Sequence, residues 1–417
     1  MHSSVKTVGN QRVMEQVPLK TIVEKYGSPC YAYSKAAISE NFLNYQRALS
    51  DRDHLICYAV KSNSNIAVLQ TLANLGAGFD IVSAGELERV LMAGGDPAKV
   101  VYSGVAKTAD EMRRALDVGI HCFNVESESE LRLLNKTAAE AKKIAPVSLR
   151  VNPDVDAKTH PYISTGLKEN KFGIDISRAF DVYQQAALMK NINVVGVDCH
   201  IGSQLTDITP FIDAMKHLLV LVDRLADAGI KLHHIDIGGG LGVCYQNEVI
   251  PSLTSYMDAL SPLLEGRSET LIMEPGRSIT ANAGILLMQV QVIKKNGDKN
   301  FAIVDAAMND MLRPALYDAW MDINTIDIES DQDEIYDIVG PVCETGDFLA
   351  KDRALSITEG DYLYLSSAGA YGFTMSSNYN SRPRVAEVMI DNEHIHLVRA
   401  RETLEDLVRG EQLIKES

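Results

Sequence analysis

Between residues 54 and 277 the chain repeats one pattern: a short apolar run dense in β-branched residues, then a longer stretch where apolar residues return every three or four positions. The runs are HLICYAVK, FDIVS, VVYSG, CFNVES, VSLRVNP, VVGVDCHIGS, HHIDIGGG and TLIMEPGR, eight in all. Helical spacing between them is clearest at Ile66, Leu69 and Leu72, and at Phe211, Met215, Leu218, Val222 and Leu225. Three connecting helices open with a hydroxyl and, three residues on, a carboxylate: Ser83 with Glu86, Thr108 with Glu111, Ser127 with Glu130. This capping-box signature marks where each strand gives way to a helix. The runs are apolar throughout rather than alternating, as strands covered on both faces should be, so the pattern predicts a (β/α)8 barrel rather than an open doubly wound sheet.

After Arg277 the rhythm changes. GILLMQVQVI, FAIVDAA, YLYLSSAGAYG, EVMID and HIHLVRA follow one another without helical stretches, which predicts a mainly antiparallel β-domain of sandwich or barrel-like form. The first 35 residues hold a short strand at CYAYS and are expected to join it. The division is therefore a barrel over 36–277 and a β-domain over 1–35 and 278–417, with the acidic stretch 322–337 as an exposed insertion.

Composition narrows the partners. Asp and Glu number 56 against 40 Lys and Arg, a net charge of -16, which repels phosphate backbones and anionic lipid, so no nucleic-acid or membrane partner is expected. No apolar run approaches a bilayer span, and the first residues lack the apolar core of a secretory signal, so a cytoplasmic location is expected. Six cysteines without a C-x-x-C pair predict buried thiols, with neither a disulfide framework nor a metal site.

A (β/α)8 barrel assembles its chemistry at the C-terminal ends of its strands. Strand one ends at Lys61, strand two carries Asp80 and Ser83, strand six delivers His200 and Ser203, strand seven Gly238, Gly239 and Gly240, and strand eight Glu274, Gly276 and Arg277. A lysine at an apolar strand end is, taken alone, most often snorkelling to solvent. Desolvated there, it would favour the neutral amine that attacks a carbonyl. The glycines after strand seven, with Gly276 and Arg277 after strand eight, stand where barrels commonly bind phosphate on bare backbone amides. Glu274 needs a cationic partner, which Arg277, a barrel lysine or a protonated ring nitrogen would each supply. Amine, phosphate cradle and carboxylate are the three anchors of pyridoxal 5'-phosphate, with His200 placed to offer a stacking face and Asp80 counted among the cofactor-binding residues.

These residues resemble the alanine-racemase-like barrel enzymes of pyridoxal phosphate, and within them the amino-acid decarboxylases, through YAVKSN, FDIVSAGEL, HIGSQ, DIGGG and EPGR. The resemblance covers essentially the whole chain. MNDMLRPALY, GPVCETGD and GAYGFTMSSNYNSRP are similar to the branch that makes lysine from meso-2,6-diaminopimelate. It implies that Lys61 holds the cofactor covalently, that His200 stacks on its ring, and that Glu274 pairs with the ring nitrogen. Ser203, Gly239, Gly240, Gly276 and Arg277 would surround the phosphate, with Tyr371 touching phosphate or ring. Arg277, Arg313 and Tyr317 would receive the distal carboxylate of the amino-acid substrate, and Glu344 its distal ammonium. Cys343 and Glu344 would enter from the partner subunit of a head-to-tail homodimer, with Cys343 or Lys61 returning the proton. Ser62 departs from the alanine more usual after the lysine. An ornithine- or arginine-type decarboxylase is the nearest rival. A racemase is served by a weaker electron sink, a non-catalytic cofactor-binding protein has no use for the β-domain polar groups, and a cofactor-free aldolase has none for a phosphate cradle.

Overall fold

The computed structural model describes residues 4–156, 170–328 and 333–414 and divides into two compact units, 38–279 on the one hand and 1–37 with 280–417 on the other. In the first unit each of the eight predicted runs forms a strand: β1 (His54–Ala59), β2 (Gly78–Ile81), β3 (Val100–Tyr102), β4 (Cys122–Val125), β5 (Ala145–Asn152), β6 (Ile192–Asp198), β7 (His234–Asp236) and β8 (Thr270–Met273). Each pairs in parallel with the next, and β8 pairs with β1, which closes the barrel. The long helix Thr209–Asp227 buries the predicted stripe of Phe211, Met215, Leu218, Val222 and Leu225. In Ile66–Asn74, Leu69 and Leu72 are buried whereas Ile66 is exposed.

Thr108 and Glu111 form the full reciprocal cap. At Ser83 and Ser127 the hydroxyl accepts from the residue three on, but Glu86 and Glu130 reach past the cap to the amides of Val82 and Glu126. The cause is backbone angle: φ of -158° at Ser83 and -162° at Ser127 turns the cap's own amide away, whereas Thr108 lies at -81°. Ser83 is thus a helix cap and not the end of β2.

The second unit centres on a nine-stranded sheet built around the long strand Gly284–Asn296, which pairs antiparallel with Cys30–Ser34, Lys299–Val304 and Tyr362–Leu365. The N-terminal strand at CYAYS therefore belongs to this sheet. Lys299–Val304 with Glu334–Val339, and Ala386–Asp391 with Cys30–Ser34, pair in parallel, so the sheet is mixed with antiparallel pairs in the majority. Its core includes Leu19, Ile22, Cys30, Ile285, Leu287, Val388 and Ile390. The acidic stretch is not an insertion: Ile323–Thr325 and Glu334–Val339 are strands of the sheet, and Asp337 is buried. Residues 329–332 of that stretch lie outside the described residues. All six cysteines are free, Cys30, Cys57, Cys122 and Cys199 being buried, Cys244 half-buried and Cys343 exposed.

Candidate active site

The C-terminal mouth of the barrel gathers charge. Lys61 sits just past β1, on the 3-10 turn Val60–Ser62, and its Nζ donates to Asp80 Oδ2 at 2.6 Å. The amine is thus paired with a buried carboxylate while its side chain remains 37% exposed. Ser62 is buried with Oγ 2.9 Å from both the Ala59 carbonyl and the Tyr58 hydroxyl, so the added hydroxyl is satisfied.

Near the amine lies a buried acidic layer. Asp198 ends β6, Asp236 ends β7 and Glu274 follows β8, and one carboxylate oxygen from each lies within 4.8 Å of the others. Asn124 Nδ2 donates to Glu274 Oε1 at 3.3 Å, and the Gly238 amide donates to Asp236 Oδ1 at 2.8 Å. Asp80 Oδ1, Asp198 Oδ1 and Asp236 Oδ2 are buried without a hydrogen-bond partner among the described residues. Burial, then the charges of Asp236, Asp80 and Asp198, hold the Glu274 carboxyl well above its ordinary range, and burial pushes Asp236 up to about 7. Arg150 answers part of this charge through Glu126 at 2.8 Å and Asp198 at 3.9 Å.

A raised carboxyl binds its proton more tightly folded than unfolded. Its cost to the fold is absent below the unfolded value and grows as pH rises toward the folded one. Asp236→Asn is therefore expected to raise the melting midpoint of the cofactor-free protein at pH 8, with a gain that shrinks as pH falls from about 7 toward 4. A pH-independent difference in thermal unfolding would contradict this reading.

The third group is the loop set after β6, β7 and β8. Arg277 donates to Ser203 Oγ at 3.1 and 3.2 Å and to the Tyr245 hydroxyl at 2.7 Å. The Gly239 amide donates to His200 Nδ1 at 3.2 Å, which leaves that nitrogen unprotonated, and burial together with Arg150 and Lys61 holds the imidazole well below its ordinary range. Bare glycines permit the close approaches: a Cβ on Gly239 would meet the Glu274 carbonyl at 2.2 Å, one on Gly240 the Gly202 carbonyl at 2.6 Å, and one on Gly276 Ala59 Cβ at 3.0 Å.

The remaining predicted residues belong to the second unit. Arg313 opens the short helix Arg313–Tyr317 and is buried, with Nη1 3.3 Å from Met321 Sδ. Cys343 and Glu344 are exposed on a loop pegged by buried Asp347, which accepts from the amides of Met308 and Val342. Asn380 accepts from the Cys343 amide at 2.8 Å, and Tyr379 donates to Glu344 at 3.1 Å. Tyr371 takes φ of 55° ahead of Gly372, where a Cβ would meet the Ala368 carbonyl at 2.6 Å. Sequence reasoning missed Asp198, Asp236, Arg150, Asn124 and Tyr245. The first two close the apolar runs of β6 and β7 and meet Glu274 only through closure of the barrel.

Comparison with known proteins places the chain among its relatives. Residues 35–281 match the family model described as pyridoxal-dependent decarboxylase, pyridoxal binding domain. A diaminopimelate decarboxylase of Pseudomonas aeruginosa is 61% identical over 96% of each chain, and one of Aquifex aeolicus 47% identical over 95% of this chain and 94% of its own. Among solved structures, diaminopimelate decarboxylase from Helicobacter pylori complexed with L-lysine superposes with a TM-score of 0.91 at 44% identity, covering 94% of this chain and 98% of the other.

Proposed function

Because this chain belongs to the pyridoxal-dependent decarboxylases, we propose that it removes one carboxyl group of meso-2,6-diaminopimelate, as carbon dioxide, to give L-lysine. What carries the reading is the convergence of Lys61, Glu274 and the Ser203–Arg277–Tyr245 network on the strand ends of one barrel, in a chain similar to diaminopimelate decarboxylases over nearly its whole length.

The mouth suits pyridoxal phosphate on three counts. Its buried carboxylate oxygens lack, among the described residues, partners that a ring cation would supply, its amine stands beside them, and its glycine-lined loops gather Arg277 and two hydroxyls of the kind that bind a dianion. When bound, pyridoxal phosphate supplies an electron sink for the pair left behind by departing carbon dioxide. Glu274, kept in an acidic layer, is placed to hold the proton of the ring nitrogen, and Asn124 fixes its orientation. Asp80 positions the Lys61 amine, His200 offers its neutral imidazole face, and Ser203, Gly239, Gly240, Gly276 and Arg277 bind the phosphate, joined by Tyr371.

Arg277, Arg313 and Tyr317 are assigned to the distal carboxylate, Glu344 to the distal ammonium, and Cys343 or Lys61 to return of the proton. The exposed Cys343–Glu344 loop is available to a second chain, and we assign it to a partner's site in a cytoplasmic homodimer. Sedimentation of an active monomer would contradict that assignment.

The reaction is tested by measuring carbon dioxide and lysine from meso-diaminopimelate, with the LL and DD isomers, ornithine and arginine as controls. Equimolar products from the meso isomer are expected, and faster turnover of ornithine or arginine would favour the rival reading. In the same assay Arg313→Lys, which exchanges a two-pronged donor for a point charge, is expected to raise KM for meso-diaminopimelate about tenfold. kcat should change much less, because the distal carboxylate is remote from the carboxyl that leaves. An unchanged KM would remove Arg313 from this role.

A further inference from the structure

The barrel has a second polar cluster, at the N-terminal ends of its strands. His121 directly precedes β4, Cys122 begins it, and His234 begins β7, which is separated from β4 in the barrel by β5 and β6. Their ligand atoms all lie within 4.8 Å of one another, the Cys122 Sγ to His234 Nε2 distance being 3.9 Å and the two imidazole centroids 5.2 Å apart. We propose that these three side chains form a binding site for a divalent ion of the zinc class, bracing β4 against β7 across the barrel interior.

Four observations carry it. Two imidazoles and a thiolate are the donor set that a borderline-soft, tetrahedral ion takes, with a fourth position left for water. His121 Nε2 is buried with no hydrogen-bond partner among the described residues, the cost a bound cation would remove. The fold makes room for the cluster: β6 is irregular between Val194 and Gly196, and a Cβ on Gly196 would stand 2.0 Å from His234 Nε2, so only glycine lets that ring turn inward. The walls are apolar, with Cys57, Val101 and Ile272 packed around Cys122, and half-exposed His121 gives the ion a route from solvent.

Binding breaks the Cys122 S–H bond, forms a sulfur–metal bond and releases one proton to solvent. The spacing of the cysteines in the chain conceals this, because the third ligand arrives from a strand more than a hundred residues away.

The probe is Co2+ added to the chelator-washed, cofactor-loaded protein. One equivalent should bind, give a thiolate-to-cobalt charge-transfer band, and be displaced by Zn2+ with an upward shift of the unfolding midpoint. Cys122→Ser should lose the band while the visible absorbance of the cofactor is unchanged, and His121→Ala, which lies outside the strand, should do the same if the serine variant fails to fold. Absence of the band in the unmodified protein, or its survival in both variants, which would place cobalt on Cys244 or Cys343, overturns the proposal.

Discussion

Replacing Lys61 with alanine is expected to lower turnover of meso-diaminopimelate by about 1,000-fold or more, roughly 4 kcal/mol of transition-state stabilisation, while cofactor remains bound through the Ser203–Arg277–Tyr245 network. The same change strips a partner from Asp80, whose side chain is fully buried. A buried acceptor left in that state costs about 1–3 kcal/mol, so the variant should also unfold at lower temperature. Adding Asp80→Asn separates the two effects. The double variant is expected to recover stability and to gain no activity. Recovery of turnover in the double variant would mean that Lys61 serves only to neutralise Asp80.

Glu274→Gln is expected to move activity and stability in opposite directions. Glutamine keeps the shape and the Asn124 contact but removes one charge from a layer already holding Asp80, Asp198 and Asp236. The cofactor-free protein should melt at higher temperature above neutral pH, since the raised carboxyl is a cost to the fold once ionised. The loaded enzyme should lose about 100- to 1,000-fold in kcat, the scale on which a group that holds a proton at the reacting ligand is valued. Cofactor retention, followed by visible absorbance, should change little. Unchanged kcat would show that Glu274 only fills space between strands.

Much of this was legible in the chain because the barrel writes its chemistry at strand ends. Lys61, His200, Glu274 and Arg277 each follow a β-branched run, and such runs are long enough to be located within a residue or two. The layer beneath was harder to read. Asp198 and Asp236 are single acidic residues closing apolar runs, and nothing local distinguishes them from solvent-facing caps; only closure of the barrel brings them onto Glu274. Tyr245 lies in the long connection between β7 and the next helix, with no periodic pattern to place it against Arg277. The partner of Lys61 is hidden for the same reason: Asp80 comes from the neighbouring strand.

The acidic stretch failed differently. Charge density between 322 and 337 outweighs the scattered apolar residues inside it, although Ile323 and Tyr336 are buried in strands of the sheet. Isolated apolar residues fall below the length at which alternation can be seen. Arg313, Cys343 and Glu344 were recognisable only through motif resemblance, since neither a five-residue helix nor an exposed loop has a pattern of its own.

Borohydride reduction of the purified enzyme, followed by peptide mass analysis, identifies the lysine that holds the cofactor. The visible absorbance is expected to disappear, and one peptide, the one containing Lys61, is expected to gain the mass of a reduced phosphopyridoxyl group. Label on any other lysine, or an unlabelled Lys61 peptide from active enzyme, would contradict this assignment of Lys61.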